Sequence, residues 1–127
     1  MPDRKNRVPA TSAAELSRPL NEIKADLFRA LAHPARVRVL EVLVNGEHSV
    51  GQLQPLVGIE SSHLSQQLGV LRRAGLVTTR KDGNTVIYRL RDPLVAELLA
   101  VAKQLLLASL THTRDLLDDL ADELTTR

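Results

Sequence analysis

Between residues 61 and 67 the chain reads Ser61-Ser62-His63-Leu64-Ser65-Gln66-Gln67, a run of hydroxyls, carboxamides and one imidazole broken by a single leucine. These side chains donate and accept hydrogen bonds without carrying net charge. On one exposed helix face they suit the reading of base edges, since a glutamine pairs with adenine and a serine serves either bases or phosphate. Cations follow at Arg72, Arg73, Arg80 and Lys81, with Asn84 just beyond them, and such residues suit the phosphate backbone. Catalytic chemistry is not indicated. Ser61, Ser62 and His63 are neighbours, but consecutive residues of a helix point in different directions, so no nucleophile and base are paired, and no glycine-rich phosphate loop is present. No enzyme, cofactor or resident metal is expected.

The elements that would hold these groups are written in the apolar spacing. Leu20, Ile23, Leu27, Phe28 and Leu31 recur at threes and fours, which predicts a first helix after Pro19. His33-Pro34 ends it and opens a second helix through Val37, Val39, Leu40 and Leu43, which stops at Asn45-Gly46. Ser49 is placed to cap a short third helix with Val50, Leu53 and Leu56 inward, kept short or distorted by Pro55. Ser61 or Ser62 is expected to cap a fourth, whose Leu64, Leu68 and Leu71 form a narrow inward stripe that ends at Gly75. With those leucines inward, Ser62, Gln66, Gly69 and Arg73 point outward, and His63, Ser65 and Gln67 lie on the flanks. The period then changes to β-branched runs, 76–80 and 85–90, around Lys81-Asp82-Gly83-Asn84, which predicts a basic β-hairpin. Asp92-Pro93 opens a last helix with no breaker after it. The order defines a mainly α fold with a small β-hairpin, a winged helix-turn-helix with a long C-terminal helix.

Composition agrees. The chain has 127 residues, no cysteine, and Phe28 and Tyr88 as its only aromatic residues by the Phe, Trp and Tyr count. That length holds one core, and a leucine-rich interior without bulky rings suits interdigitating helices. Without cysteine there is no disulfide frame and no thiolate metal site, which fits a reducing cytoplasm. No secretory signal or membrane span is read, because Glu97, Lys103 and Gln104 interrupt the most apolar stretch. Net charge is only +2, but it is polarised: 60–91 carries Arg72, Arg73, Arg80, Lys81, Arg89 and Arg91 against Glu60 and Asp82, whereas 112–127 is dominated by acids. The expected organisation is a flexible arm over 1–17, a DNA-binding and dimerisation domain over 18–110, and an acidic helical extension over 111–127.

Three stretches, Leu27 to Leu40 with its Leu31-Ala32-His33-Pro34-Ala35-Arg36 centre, Leu64 to Val77, and Arg80 to Leu90, occur in an order that resembles the ArsR/SmtB family of prokaryotic transcriptional repressors. The resemblance covers roughly residues 20–105. It implies a homodimer that sits on a palindromic operator in double-stranded DNA and leaves it when an inducer binds, with the helix after Gly58 as recognition helix and the hairpin as wing. The chain also departs from the family. Gln67 stands where many relatives carry histidine. The third helix has no cysteine pair, and the last helix has His112 as its single histidine, so the family's metal and thiol sensing sites do not carry over.

The remaining histidines read plainly: His33 as a cap or packing residue, His48 in a turn. His112 shares a helix face with Asp115 and Asp119, a spacing that could ligate a metal, but it reads first as a solvated face. The last helix is longer than one small domain can cover, so its leucines call for a second protomer. The competing reading is a winged-helix docking module that binds protein rather than DNA. The operator, the inducer and the target genes are not written in these residues.

Overall fold

A proline opens the first helix and another opens the second, and between them a single histidine does the capping. The computed structural model describes residues 17–125; the arm expected over 1–17 falls almost wholly outside the described residues. α1 spans Leu20–Leu31 and α2 spans Pro34–Val44. At their junction His33 is extended, and its Nδ1 accepts a hydrogen bond from the Ala35 amide at 3.1 Å, with Pro34 in the first turn where no amide is needed. His33 is thus a helix cap, as expected.

α2 ends at Asn45 and leads into β1, His48–Ser49, a two-residue strand that alternation could not reveal. Ser49 then opens α3, Val50–Val57, through a reciprocal capping box: its hydroxyl accepts from the Gln52 amide while the Gln52 carboxamide accepts from the Ser49 amide. Gly58, at φ 79°, closes the helix in the left-handed conformation that disfavours a Cβ.

α4 spans Ser61–Arg73. Its cap is Glu60, through its backbone only, so neither Ser61 nor Ser62 caps it; both lie inside the helix with their side chains exposed. The C-terminal end is a Schellman motif. Leu76 donates to the Leu71 carbonyl, Gly75 at φ 77° donates to Arg72, and both leucines are buried. This closure turns the chain directly into β2, Val77–Asp82, which pairs antiparallel with β3, Thr85–Leu90. The pairing of Asp82 with Thr85 leaves a two-residue loop in which Gly83 alone takes positive φ, 63°, the pattern of a type II′ turn. β1 joins the far side of β3, giving the order β1-β3-β2.

α5 spans Pro93–Thr125, with Asp92 accepting from the Leu94 amide at 2.8 Å as expected of a cap. The described chain forms two compact units, one running to Ala96 and the other the helix from Glu97 onward. By length and apolar composition this helix is long enough to cross a membrane, and its polar residues therefore decide how it is read. The core of the first unit joins Val39 and Leu40 of α2, Leu53 of α3, Leu64, Leu68 and Leu71 of α4, and Val77 of β2, all essentially without solvent contact.

Leu53 is 0% exposed, but Leu56, expected inward as well, is 46% exposed: one turn beyond Leu53, it lies past the edge of the face that α3 buries. Leu53→Ala is expected to cost about 2–5 kcal/mol in denaturant unfolding, and Leu56→Ala well under half as much.

Candidate nucleic-acid interface

α4 has two faces that differ in kind. Leu64, Leu68 and Leu71 are buried, while Ser61, Ser62, His63, Ser65 and Gln66 are exposed. The helix therefore presents an uncharged polar surface over its first two turns, with Arg72 and Arg73 exposed at its end. Gly69 plays a part other than bare backbone. A Cβ there would stand 3.1 Å from Nη1 of Arg73, so the missing side chain lets that guanidinium lie back along the helix.

Gln67 departs from the expected flank position. It is 5% exposed, and its Oε1 accepts a hydrogen bond from Nη1 of Arg36 at 2.9 Å. A buried carboxamide needs such a partner, and this one is charged, which strengthens the bond. Gln67 is therefore removed from the set of residues able to touch DNA. Arg36 also donates through Nε to the Ala30 carbonyl at 2.8 Å and through Nη2 to the Arg29 carbonyl at 3.1 Å. One guanidinium thus ties the C-terminal end of α1 to the inner side of α4. The sequence reading missed Arg36 because its partner is thirty-one positions away; only the paired oddities, an arginine just after a helix cap and a glutamine beside an inward leucine, could have suggested the bond.

His63 stands at the first turn of α4 with its ring edge-on to His33, centroids 5.8 Å apart. The cap of α2 and the start of α4 therefore meet through two imidazoles. His63 remains exposed and available outward.

The wing carries its cations unequally. Arg80 binds one oxygen of Glu47 through Nη2 at 2.7 Å and Nε at 3.2 Å. That hydrogen bond holds the Glu47 carboxyl below its usual range and raises Arg80 above its own. Because the folded pKa of Glu47 is depressed, the pair holds above the ordinary carboxylate range and is lost as pH falls through the depressed value. Lys81, the next residue of β2, is exposed and makes no ion pair among the described residues, and Asn84 is exposed in the turn. Arg89 leans on Thr78, its cross-strand neighbour, at 3.2 Å. The two wing cations that look alike in sequence are thus one partnered and one open.

His112, Asp115 and Asp119 lie in the helical unit beginning at Glu97, and no group of three or more His, Asp or Glu that could hold a metal ion occurs among the described residues.

A capped polar helix closed by a glycine turn and followed at once by a basic two-stranded wing defines the winged helix-turn-helix class of DNA-binding proteins. The model of the helix-turn-helix domain family matches residues 31–80. The HTH-type transcriptional regulator Rv0081 of Mycobacterium tuberculosis is 55% identical over 105 residues, which is 82% of this chain and 92% of that protein. Its crystal structure superposes with a TM-score of 0.71 at 57% identity, covering 76% of this chain and 97% of that one. The biofilm growth-associated repressor of Xylella fastidiosa is 42% identical, with 76% of this chain and 83% of the repressor covered. The homodimeric winged helix-turn-helix domain of Mb0332 from Mycobacterium bovis matches with a TM-score of 0.69 at 28% identity over 80% of this chain and 93% of that one. The chain belongs to the ArsR-like family of winged helix-turn-helix transcriptional regulators, and it is a DNA-binding regulator.

Arg36→Met would leave the buried Gln67 oxygen and the Ala30 carbonyl without this donor, while the Arg29 carbonyl keeps the Ala32 amide. The expected cost is about 1–3 kcal/mol in chemical denaturation, and the part that comes from the stranded carboxamide is relieved when Gln67→Met is added. An additive rather than compensating double variant would show that the two residues do not act as a pair.

Proposed function

We propose that the chain is a repressor that binds an inverted-repeat operator as a homodimer in the bacterial cytoplasm and is released by a signal not yet identified. The observation that carries this reading is the division of α4 into a buried leucine face with an anchored Gln67 and an exposed, uncharged face of Ser61, Ser62, His63, Ser65 and Gln66. A helix held rigidly from within can keep its outer groups in register with base edges, which adaptable loops do less well. In this reading α4 enters the major groove by its N-terminal half. Ser62 and Gln66 face bases, Ser61, His63 and Ser65 serve base edges or phosphate, and Arg72, Arg73, Lys81 and Asn84 contact the backbone. Arg80 contributes less than its charge suggests, because Glu47 already neutralises it.

Support for the dimer comes from α1, whose Phe28 is 59% exposed and whose Leu20 is also largely uncovered. Apolar side chains of this size on one helix mark a surface that another chain covers. A two-fold pair would set the recognition helices about 34 Å apart, one turn of duplex, and hence require a two-fold symmetric site. The named homodimer of Mb0332 and the named repressor of X. fastidiosa point the same way.

Binding-site selection from random duplexes, followed by fluorescence anisotropy at several salt concentrations, tests the reading. An inverted repeat should emerge. Gln66→Ala should relax preference at one base position in each half-site, by about 1–3 kcal/mol. Lys81→Ala should weaken all duplexes alike and lower the salt slope by about one unit, whereas Arg80→Ala should do so by much less and Glu47→Gln should strengthen binding. If the purified protein is not retained on any duplex at modest ionic strength, the docking-module reading replaces this one.

A further inference from the structure

Where the wing meets the helices, the end of α2, the turn after it, the end of β3 and the first turn of α5 surround an open cleft of about 460 Å³. All of its walls belong to the unit that ends at Ala96. The volume lies within the range of small-molecule sites, which join a largely apolar surface to a few placed polar groups. The apolar part comes from Leu43 and Val44 at the end of α2 and from Pro93 and Ala96 in α5. Leu43 is buried, whereas Val44 is 45% exposed, an apolar side chain left uncovered on the wall of a cleft.

The polar part is cationic. Arg89 of β3 and Arg91 just beyond it line one side, and Glu47 lines the turn. Glu47 does not cancel them, because its Oε2 already accepts from Nε and Nη2 of Arg80. Arg89 donates through Nε to the Thr78 hydroxyl at 3.2 Å, and its two terminal nitrogens make no hydrogen bond among the described residues. A guanidinium with that edge open suits a carboxylate, which accepts two parallel N–H bonds. A bare inorganic anion would leave the aliphatic wall in water, and a neutral apolar body would leave the guanidinium unserved. Both features are met by one ligand that carries both.

The geometry points to this cleft as the binding site of a small monocarboxylate with an aliphatic body, its carboxylate on Arg89 and its chain against Val44, Pro93 and Ala96. Such a ligand touches β3 of the wing, the end of α2, whose Arg36 holds α4, and the start of α5 at once. The cleft is therefore the place at which the releasing signal enters. That role rests on the reading of a signal-released repressor; occupancy of the cleft does not.

Isothermal titration calorimetry of the full chain with octanoate, without DNA, tests the site. Octanoate should bind, and inorganic phosphate and 1-octanol should each bind about tenfold more weakly or worse. Arg89→Met, an exposed position, removes the guanidinium, and Ala96→Phe fills the apolar end. Each should weaken octanoate by about tenfold or more with unchanged helicity by circular dichroism. No binding of octanoate to the wild-type chain overturns the site. Equal binding by the wild type and both variants also overturns it, and assigns the ligand to the exposed leucines beyond Glu97. Fluorescence anisotropy with a duplex obtained by selection tests the regulatory role: saturating octanoate should weaken wild-type binding by about fivefold or more and leave Arg89→Met unaffected. Bound octanoate with unchanged duplex affinity overturns the cleft as the entry of the signal. A chain that retains no duplex before octanoate is added overturns the operator reading instead, and the calorimetry still decides the site.

Discussion

Everything the α4 surface does depends on how firmly its opposite side is held. Three leucines supply the bulk of that attachment without direction, since apolar burial fixes that a face is inward but not its rotation to within a few degrees. The bond from Arg36 to Gln67 supplies the direction. It has one acceptor, a short distance and a buried setting, so turning α4 about its axis would strand a carboxamide and a guanidinium together. The same guanidinium closes the end of α1, and the imidazole of His33 at the head of α2 touches that of His63 at the head of α4. Two polar contacts thus register α4 against α2 and, through Arg36, against the end of α1.

The ends of the elements show the same economy. The Schellman closure at Gly75 leaves no slack between α4 and β2, so the position of the wing follows from that of the helix. Within the wing, pairing of all six β2 residues with β3 and anchoring of Arg80 to Glu47, just ahead of β1, stiffen the base and leave Lys81 and Asn84 exposed at the tip, where the proposed reading has them meet the phosphate backbone. In the proposed reading the labour is divided: a rigidly held helix presents uncharged groups to bases, and the open cation of the wing supplies charge.

Much of this was legible in the residues. Helix starts at Pro19, His33 and Asp92, the caps at Ser49 and His33, the glycine stops at Gly58 and Gly75, and the inward stripe of α4 are local events, encoded within a turn or two of chain, and they came out where the spacing put them. What failed was non-local. A two-residue strand at His48–Ser49 has no alternation to detect and exists only because β3 lies beside it. A helical wheel could place Gln67 on a flank but not see the arginine that draws it inward. Charge counting gave Arg80 and Lys81 equal weight, and only the position of Glu47, distant in sequence, separates them. The cap at Ser61 or Ser62 was a local reading that backbone capping at Glu60 displaced, and it leaves both hydroxyls on the exposed face.

The most direct measurement is amide hydrogen exchange on the full chain, alone and saturated with a duplex recovered by selection. If the outer face of α4 and the wing are the contact, added protection will concentrate in residues 61–66 and 80–85. The already buried segment around Leu68 and Leu71 will change little. Protection confined to α1 or to the helix beyond Glu97, with residues 61–66 unchanged, would contradict the assignment of α4 as the helix that reads DNA.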